Sequence, residues 1–459
     1  MKKCAVRGSA PYTRGVFGAA LLTAAMAGLA AAAAGTGAGA PPSAAAADTP
    51  AARNVILLVG DGMGDSEITL ARNYTVGAGG RLHMDRFPMT GTYTTYSVDK
   101  EGKPTYVTDS AASATAWATG RKTVNDRLSK TPGSDRAVPT ILELAQRGGF
   151  ATGSVTTAAL TDATPAALAA HVTDRSCQGP ADMALCPADT RGGGGPGSIA
   201  EQTVARRVDV LLGGGRERFE QTITEGPERG ATVLHRARQR GYQVITEAEG
   251  LDAVRPGRPV LGLFAAEALP VEWTGKPAAP AGTAPQRCVP ADPGRGPRIP
   301  SLEAQTRKAI ELLEAGARQK GQGKGFFLQV EGASIDKQNH DADPCGQIGE
   351  TVAFDRAVKA AREYAVRHPD TLVITTADHG HSSQIVPLAA RPAGLSATLI
   401  TDEGALMKVS YATHAGEEGQ EHSGVQVRVA AEGPHAHRVL GSGDQTELFT
   451  TLRLALGLR

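Results

Sequence analysis

Asn54-Val-Ile-Leu-Leu-Val-Gly-Asp61, Phe326-Phe-Leu-Gln-Val-Glu331 and Thr371-Leu-Val-Ile-Thr-Thr-Ala-Asp378-His379 are three apolar runs that each finish on a carboxylate. Apolar runs of this length without alternation read as parallel strands buried on both faces. In an open α/β sheet such strands deliver their last residues to one shared edge, where ligands bind. That edge collects acids and histidine together. Crowded carboxylates repel one another unless positive charge sits among them, so the pattern points to a metal cluster before any motif is considered.

Working outward, further strands are read at 91–98, 150–155, 208–212, 260–264 and 425–430. Helical patterns fall between them at 66–74, 111–119, 139–147, 165–171, 301–319, 348–367 and 445–456, with Gly120 and Gly148 as stop signals. The alternation predicts a large, mostly parallel sheet flanked by helices on both faces, a single α/β domain with loop insertions. The glycine run at 192–197 and the Pro/Gly/Ala-rich stretch at 275–300 read as surface excursions.

The first 47 residues stand apart in composition. Lys2, Lys3, Arg7 and Arg14 lead into an Ala/Gly/Leu stretch over 15–34, and Ala45-Ala46-Ala47 precede Asp48. This order reads as a secretory signal over 1–47, leaving 48–459 as the folded chain in a periplasmic or extracellular location. A retained anchor is the alternative, disfavoured because Ala and Gly make the stretch weakly apolar and no stop-transfer charges follow. Without those residues, 44 Lys and Arg face 47 Asp and Glu, a charge of about −3 that gives no reason to expect nucleic-acid or stable membrane partners. Cys177, Cys186, Cys288 and Cys345 remain, which in an exported chain read as two disulfides. Spacing favours Cys177 with Cys186 and Cys288 with Cys345 among three possible pairings. Closing those loops is worth about 3 and about 4 kcal/mol before strain.

Asp336-Lys-Gln-Asn-His340 sets a carboxylate and an imidazole four residues apart, so on a helix both project from one face and can grip one ion. Alone, such a pair is more often a solvated face; Glu331 just upstream strengthens the ligand reading, because all three then share one strand-to-helix turn. Asp378-His379 closes another strand, and Asp61-Gly-Met-Gly64 closes the first with glycines that let backbone approach closely. Mixed Asp/His ligation suits zinc, and all-oxygen ligation suits magnesium. Thr108-Asp-Ser-Ala-Ala-Ser-Ala-Thr-Ala116 opens a helix with Asp109 or Ser110 at its N-cap. A serine at a positive helix end suits phosphate, and a neighbouring metal can hold it as the alkoxide. No Gly-x-Ser-x-Gly surrounds Ser110, which disfavours a nucleophile elbow with a histidine base. Asp162-Ala-Thr164-Pro precedes another helix, and Arg175 follows it; by themselves these are a helix start and a surface charge.

Taken together, Asp61-Gly-Met-Gly-Asp-Ser-Glu67, Thr108-Asp-Ser-Ala-Ala-Ser-Ala-Thr-Ala-Trp117, Asp162-Ala-Thr-Pro-Ala166, Gln329-Val-Glu-Gly-Ala-Ser-Ile-Asp-Lys337 and Thr376-Ala-Asp-His379 resemble the bacterial periplasmic alkaline phosphatase family. The resemblance implies a catalytic domain over 48–459 that hydrolyses phosphate monoesters to inorganic phosphate through a phosphoseryl intermediate at Ser110, with two zinc ions and one magnesium. It further implies that Asp336, His340 and His422 would hold one zinc, and Asp61, Asp378 and His379 the other, beside Ser110. Asp61 would also bridge to a magnesium site completed by Asp162, Thr164 and Glu331. Arg175, steadied by Asp109, would clamp two phosphate oxygens, and Lys337 would approach phosphate through water. A homodimer is implied as well, with the residues just after Asp48 as an arm on the partner subunit. Residue chemistry alone does not single out His422. His83, His171, His235, His368, His381, His414, His435 and His437 take the default of surface or structural histidines.

Two alternatives stand beside this reading: a phosphodiesterase or phosphonate hydrolase of the same superfamily, and a phosphate-binding protein without turnover. Arg175 argues for the monoester, whose extra oxygen charge suits a bidentate guanidinium. The intact Ser110 and ligand set argue against binding alone. No Cys-x-Pro-x-Arg or Ser-x-Pro-x-Arg stands at the nucleophile, which disfavours sulfatase chemistry.

Overall fold

The acid-ended runs lie side by side in the middle of a ten-stranded sheet, as Thr371–Ala377, Asn54–Gly60 and Phe326–Gly332. The computed structural model describes residues 51–291, 296, 298–321, 323–415 and 419–458, so the signal segment read over 1–47 lies outside the described residues. From edge to edge the strands are Gly441–Asp444, Met89–Thr94, Val427–Glu432, Thr371–Ala377, Asn54–Gly60, Phe326–Gly332, Ala151–Ala159, Val210–Gly214, Val260–Leu263 and Gln243–Ile245. Within this sheet only Val427–Glu432 runs against the rest. Every residue of the three central runs is buried, the physical reason they carry no polar alternation. Two groups of helices pack with it, Leu302–Lys320 with Pro344–Arg367, and Ser110–Thr119 with Ile141–Arg147, Ala163–Ala169 and Glu447–Ala455.

Register aligns the strand ends. Gly60 pairs with Gly332 on one side and Ala377 on the other, so Asp61 and Asp378 leave the sheet together one residue later. Glu331 stands level with Val59 and Thr156. The Asp61 amide donates to the Gly332 carbonyl at 3.1 Å, and the Gly62 amide donates to Asp378 Oδ1 at 2.8 Å. Gly62 has φ of +62°, and a Cβ there would stand 3.0 Å from Asp336 Cα, so glycine is what lets the loop after Asp61 pass the helix Ser334–His340.

Several elements differ from the sequence reading. The run at 91–98 divides into Met89–Thr94 in the main sheet and Ser97–Val98, which pairs with Pro104–Thr105. Between them Thr95 gives its hydroxyl to the Val425 carbonyl, and the Val98 amide turns to Thr123. Residues 384–419, not read as strands, contribute to a separate antiparallel sheet of Ser383–Val386, Leu406–Tyr411 and Leu395–Ile400. The 275–300 excursion is fastened to it where the Gln286 amide donates to the Thr398 carbonyl at 3.0 Å. The helix Ile199–Arg206 was also absent from that reading, although Ser198 and Glu201 form its capping box. Both disulfide pairings favoured by spacing are formed.

Gln329, wholly buried in its strand, accepts the Trp117 indole N–H at 3.0 Å and donates to the Thr164 carbonyl at 3.0 Å. One side chain thereby braces the helix that starts at Ser110 against the one that follows Asp162. Gln329→Leu strands two buried polar groups and is expected to cost about 2–4 kcal/mol. The check is the thermal midpoint, and an unchanged midpoint would contradict the bracing role.

Candidate metal centre and active site

Ser110 begins its helix, with Asp109 as the N-cap accepting the Ala112 amide at 2.9 Å. Its Oγ lies 3.4 Å from Asp61 Oδ1 and 3.3 Å from His379 Nε2, in a site where Ser110 is 2% exposed. Arg175 donates to Asp109 Oδ2 at 3.3 Å through one terminal nitrogen and to Asp162 Oδ1 at 2.7 Å through the other. Each terminal nitrogen keeps a second N–H, which suits a bidentate oxyanion. Lys337 donates to Asp162 Oδ2 at 2.9 Å. Against the desolvation of burial, Lys337 and Arg175 hold Asp162 well below the usual carboxylate range.

Three imidazoles converge on Asp336. Nε2 of His340 is 3.4 Å from its Oδ2, and Nε2 of His381 and of His422 are each 3.3 Å from its Oδ1. The opposite ring nitrogens decide what each histidine can do. Nδ1 of His422 faces the Thr108 carbonyl at 3.0 Å, and Nδ1 of His340 faces the Gln420 carbonyl. A carbonyl only accepts, so both rings carry a proton on Nδ1 and, when neutral, turn an Nε2 lone pair inward; without a cation, against the cost of burial, Asp336 favours the protonated ring of each. His381 is reversed. Its Nδ1 accepts the Ser382 amide at 2.9 Å, which leaves its proton on Nε2, facing Asp336. Asp336, His340, His381 and His422 each bring a ligand-type atom within 4.8 Å of the others; His381 turns an N–H toward the carboxylate at 3.3 Å, whereas neutral His340 and His422 can offer a lone pair.

Asp61, Asp378 and His379 form the second group. Nδ1 of His379 faces the Gly380 carbonyl at 3.2 Å, so its Nε2 lone pair looks toward Asp378 Oδ2 at 3.2 Å, Asp61 Oδ1 at 3.4 Å and Ser110. Glu331 adjoins it, its Oε2 accepting the Thr156 hydroxyl at 2.5 Å. Thr164 and Asp162 also act on the Glu331 carboxyl. In the metal-free chain, burial and then Asp336 push Asp61 up to about 7. Burial and then Asp61 push Glu331 up to about 8 and Asp378 well above the carboxylate range. Asp336 Oδ1 and Asp378 Oδ2 are buried and make no hydrogen bond among the described residues. His340 Nε2 and His422 Nε2 stand 3.1 Å apart, and in the neutral rings their lone pairs face each other. Orphaned carboxylate oxygens, facing lone pairs and buried acids driven toward neutrality all fit cations held at both groups.

All thirteen residues expected from sequence lie in or beside this cleft. The reading that gave His381 only a default role is corrected, because it is 3% exposed and faces Asp336. Its place two residues past His379, at the end of a buried strand, was the available signal. Gln445 was also missed: wholly buried, it donates to the Asp378 carbonyl at 2.8 Å and accepts the Ser113 hydroxyl at 2.9 Å.

Phosphoryl transfer from a monoester asks for a nucleophile, cations around the phosphate and a bidentate positive group, and here Ser110, the two groups of candidate metal ligands and Arg175 stand together for those tasks. That combination defines the class as a metal-dependent phosphomonoesterase. Sequence comparison agrees: the alkaline phosphatase family profile matches residues 52–417 and 394–458, and the chain belongs to that family. It is 66% identical over 409 residues to the streptomycin-6-phosphate phosphatase of Streptomyces griseus, covering 89% of this chain and 91% of that protein. It is 52% identical over 422 residues to the alkaline phosphatase of Escherichia coli K12, covering 90% and 88% respectively. The fold is similar to that of Thermus thermophilus alkaline phosphatase, with a TM-score of 0.66 at 22% identity over 90% of this chain and 93% of that one.

The raised acids give a pH prediction. Asp61 at about 7 and Glu331 at about 8 keep protons in the folded metal-free chain that they lose when unfolded. Their contribution to stability is complete below the unfolded carboxylate range and is lost as pH rises through 7 to 8, at up to about 1.4 kcal/mol per pH unit per group. The melting temperature of chelated protein is therefore expected to fall between pH 5 and 8 relative to that of metal-loaded protein. A chelated protein that gains stability over that window would contradict the assignment.

Proposed function

We propose that the chain cleaves phosphate monoesters through a phosphoseryl intermediate at Ser110, with two zinc ions and one magnesium. The observation that carries this reading is Ser110 Oγ, buried at a helix start within 3.4 Å of two residues of one ligand group. Asp336, His340 and His422 would hold one zinc; Asp61, Asp378 and His379 would hold the second. Asp61, Asp162, Thr164 and Glu331 offer the all-oxygen set that suits magnesium. The chemistry bound cations supply here is electrostatic, lowering the pKa of a nearby hydroxyl and neutralising the charge of the departing oxygen. Arg175, steadied by Asp109 and Asp162, turns its two free N–H groups to the phosphate oxygens. Lys337 adds positive charge beside Asp162, through water to the phosphate.

Ser110 gives up its proton, its Oγ bonds to phosphorus and the ester P–O bond breaks, releasing the alcohol. Water then cleaves the phosphoserine from the vacated side, which frees inorganic phosphate and restores the hydroxyl. Family membership and the basic, apolar and small-residue order of 1–47 support export to the periplasm or medium and assembly as a homodimer. The 66% identity to a streptomycin-6-phosphate phosphatase supports a narrower second reading, in which an aminoglycoside phosphate is a substrate.

Hydrolysis of nitrophenyl phosphate is expected to vanish on chelation and to return best with zinc and magnesium together. Ser110→Ala should abolish acid-stable labelling by radioactive phosphate and lower kcat/KM by about 10³-fold or more. Label retained on that variant would sink the nucleophile assignment. A nitrophenyl diester turned over faster than the monoester would favour the diesterase alternative. Comparing kcat/KM for streptomycin 6-phosphate and nitrophenyl phosphate tests the narrower reading, which predicts preference for the former.

A further inference from the structure

Glu67 sits in the first turn of the Asp65–Thr75 helix, 1% exposed, and takes no part in the reaction described above. Its carboxylate accepts the Ser383 hydroxyl. Gly64 follows Asp61 in the first loop, and Ser383 follows Asp378-His379 in the second. The two loops touch there. A Cβ on Gly64 would lie 2.8 Å from Glu67 Oε2, 3.3 Å from Gly380 Cα and 3.8 Å from the His381 amide nitrogen. From the other side, Gln347 in the Pro344–Arg367 helix donates to the Glu67 carbonyl at 3.2 Å, fixing the backbone that carries the carboxylate.

We propose that Glu67 is a positioning residue: its carboxylate clasps the loop that carries Asp61 to the loop that carries Asp378, His379 and His381, and so sets the spacing of the two cation groups. A buried carboxylate is costly to desolvate, and an apolar side chain of similar size would fill the same space without that cost. What the carboxylate adds is direction, because it takes the Ser383 hydroxyl from the second loop while its own helix continues directly from the first. Ligand sets need that support, since small displacements of their loops degrade metal binding, and groups behind the ligands tune affinity by about 10–100-fold.

The inference rests on the metal-holding reading above, and the test separates the two. Full-length mature protein loaded with zinc and magnesium is transferred to a chromogenic chelator, and the rate of zinc release is followed for wild type, Glu67→Ala, Glu67→Gln and Ser383→Ala. The visible spectrum of each cobalt-substituted protein is recorded alongside. Glu67→Ala and Ser383→Ala are expected to release zinc about tenfold faster or more and to shift the cobalt bands. Glu67→Gln, which keeps an acceptor for Ser383, is expected to fall between them and wild type. Release within about twofold of wild type and unshifted cobalt bands in folded variants would overturn the proposal, whatever their melting temperatures. If Glu67→Ala does not fold, Ser383→Ala, which removes a single oxygen, decides by the same criterion. A wild-type chain that takes up no zinc would overturn the metal reading and this proposal together; equal retention by wild type and variants would overturn this proposal alone.

Discussion

Asp61, Glu331, Asp336 and Asp378 are buried together at the carboxyl ends of neighbouring parallel strands, and their mutual repulsion has to be met by positive charge. The fold creates the problem, because register brings Gly60, Gly332 and Ala377 level and leaves the next side chains no separate exits. Two kinds of side-chain charge answer part of it. Arg175 and Lys337 compensate Asp162 at the rim, and the histidines around Asp336 hold that carboxyl low despite its burial. At Asp61, Glu331 and Asp378 burial and the neighbouring acids outweigh what side chains supply and the carboxyls move up, which is the electrostatic signature of a donor set built for cations.

Hydrogen-bond direction gives this centre its division of labour. Proximity alone puts four histidines around the two groups, with His379 stacked on His422 at 3.6 Å between ring centroids. A carbonyl behind a ring turns a lone pair inward; an amide behind it turns a proton inward. His340, His379 and His422 have carbonyls behind them, and His381 has the Ser382 amide. The same ring type thus offers lone pairs at three positions and an N–H toward Asp336 at the fourth, and neither composition nor spacing carries that distinction.

Much of this was legible in the chain because the three acid-ended runs are buried on both faces and so announce themselves without periodicity. Ser110 and Asp109 were legible from cap chemistry, and Asp336 with His340 from helical spacing. Asp162, Thr164, Arg175 and Lys337 gained their meaning only through family likeness, because a helix start and isolated charges look the same at any surface. His422 comes from a loop after the long excursion and meets His340 only in three dimensions, a contact no local pattern encodes. The strands at 383–411 were missed for a related reason. They pair with one another and with the 275–300 excursion rather than with the main sheet, so neither burial on both faces nor alternation with helices marked them.

The arrangement also explains how Ser110, at the very start of its helix, is held accurately. Asn125 accepts the Asp109 amide at 3.2 Å and donates to the Val107 carbonyl at 3.2 Å, which steadies the segment leading into Ser110. Its neighbour Asp126, with φ of 68°, offers its carbonyl to the Arg175 amide at 2.7 Å. Asparagine and aspartate are among the side-chain-bearing residues that tolerate such a left-handed turn best, so the strain is modest. One two-residue turn therefore sets the segment leading into Ser110 and Arg175 against each other. Deeper in, Gln445 fixes the Asp378 carbonyl to Ser113, one helical turn beyond Ser110 on the same helix. Neutral side chains make these braces, which matters in a cleft already crowded with acids: they add direction without adding charge that the cation groups would have to offset.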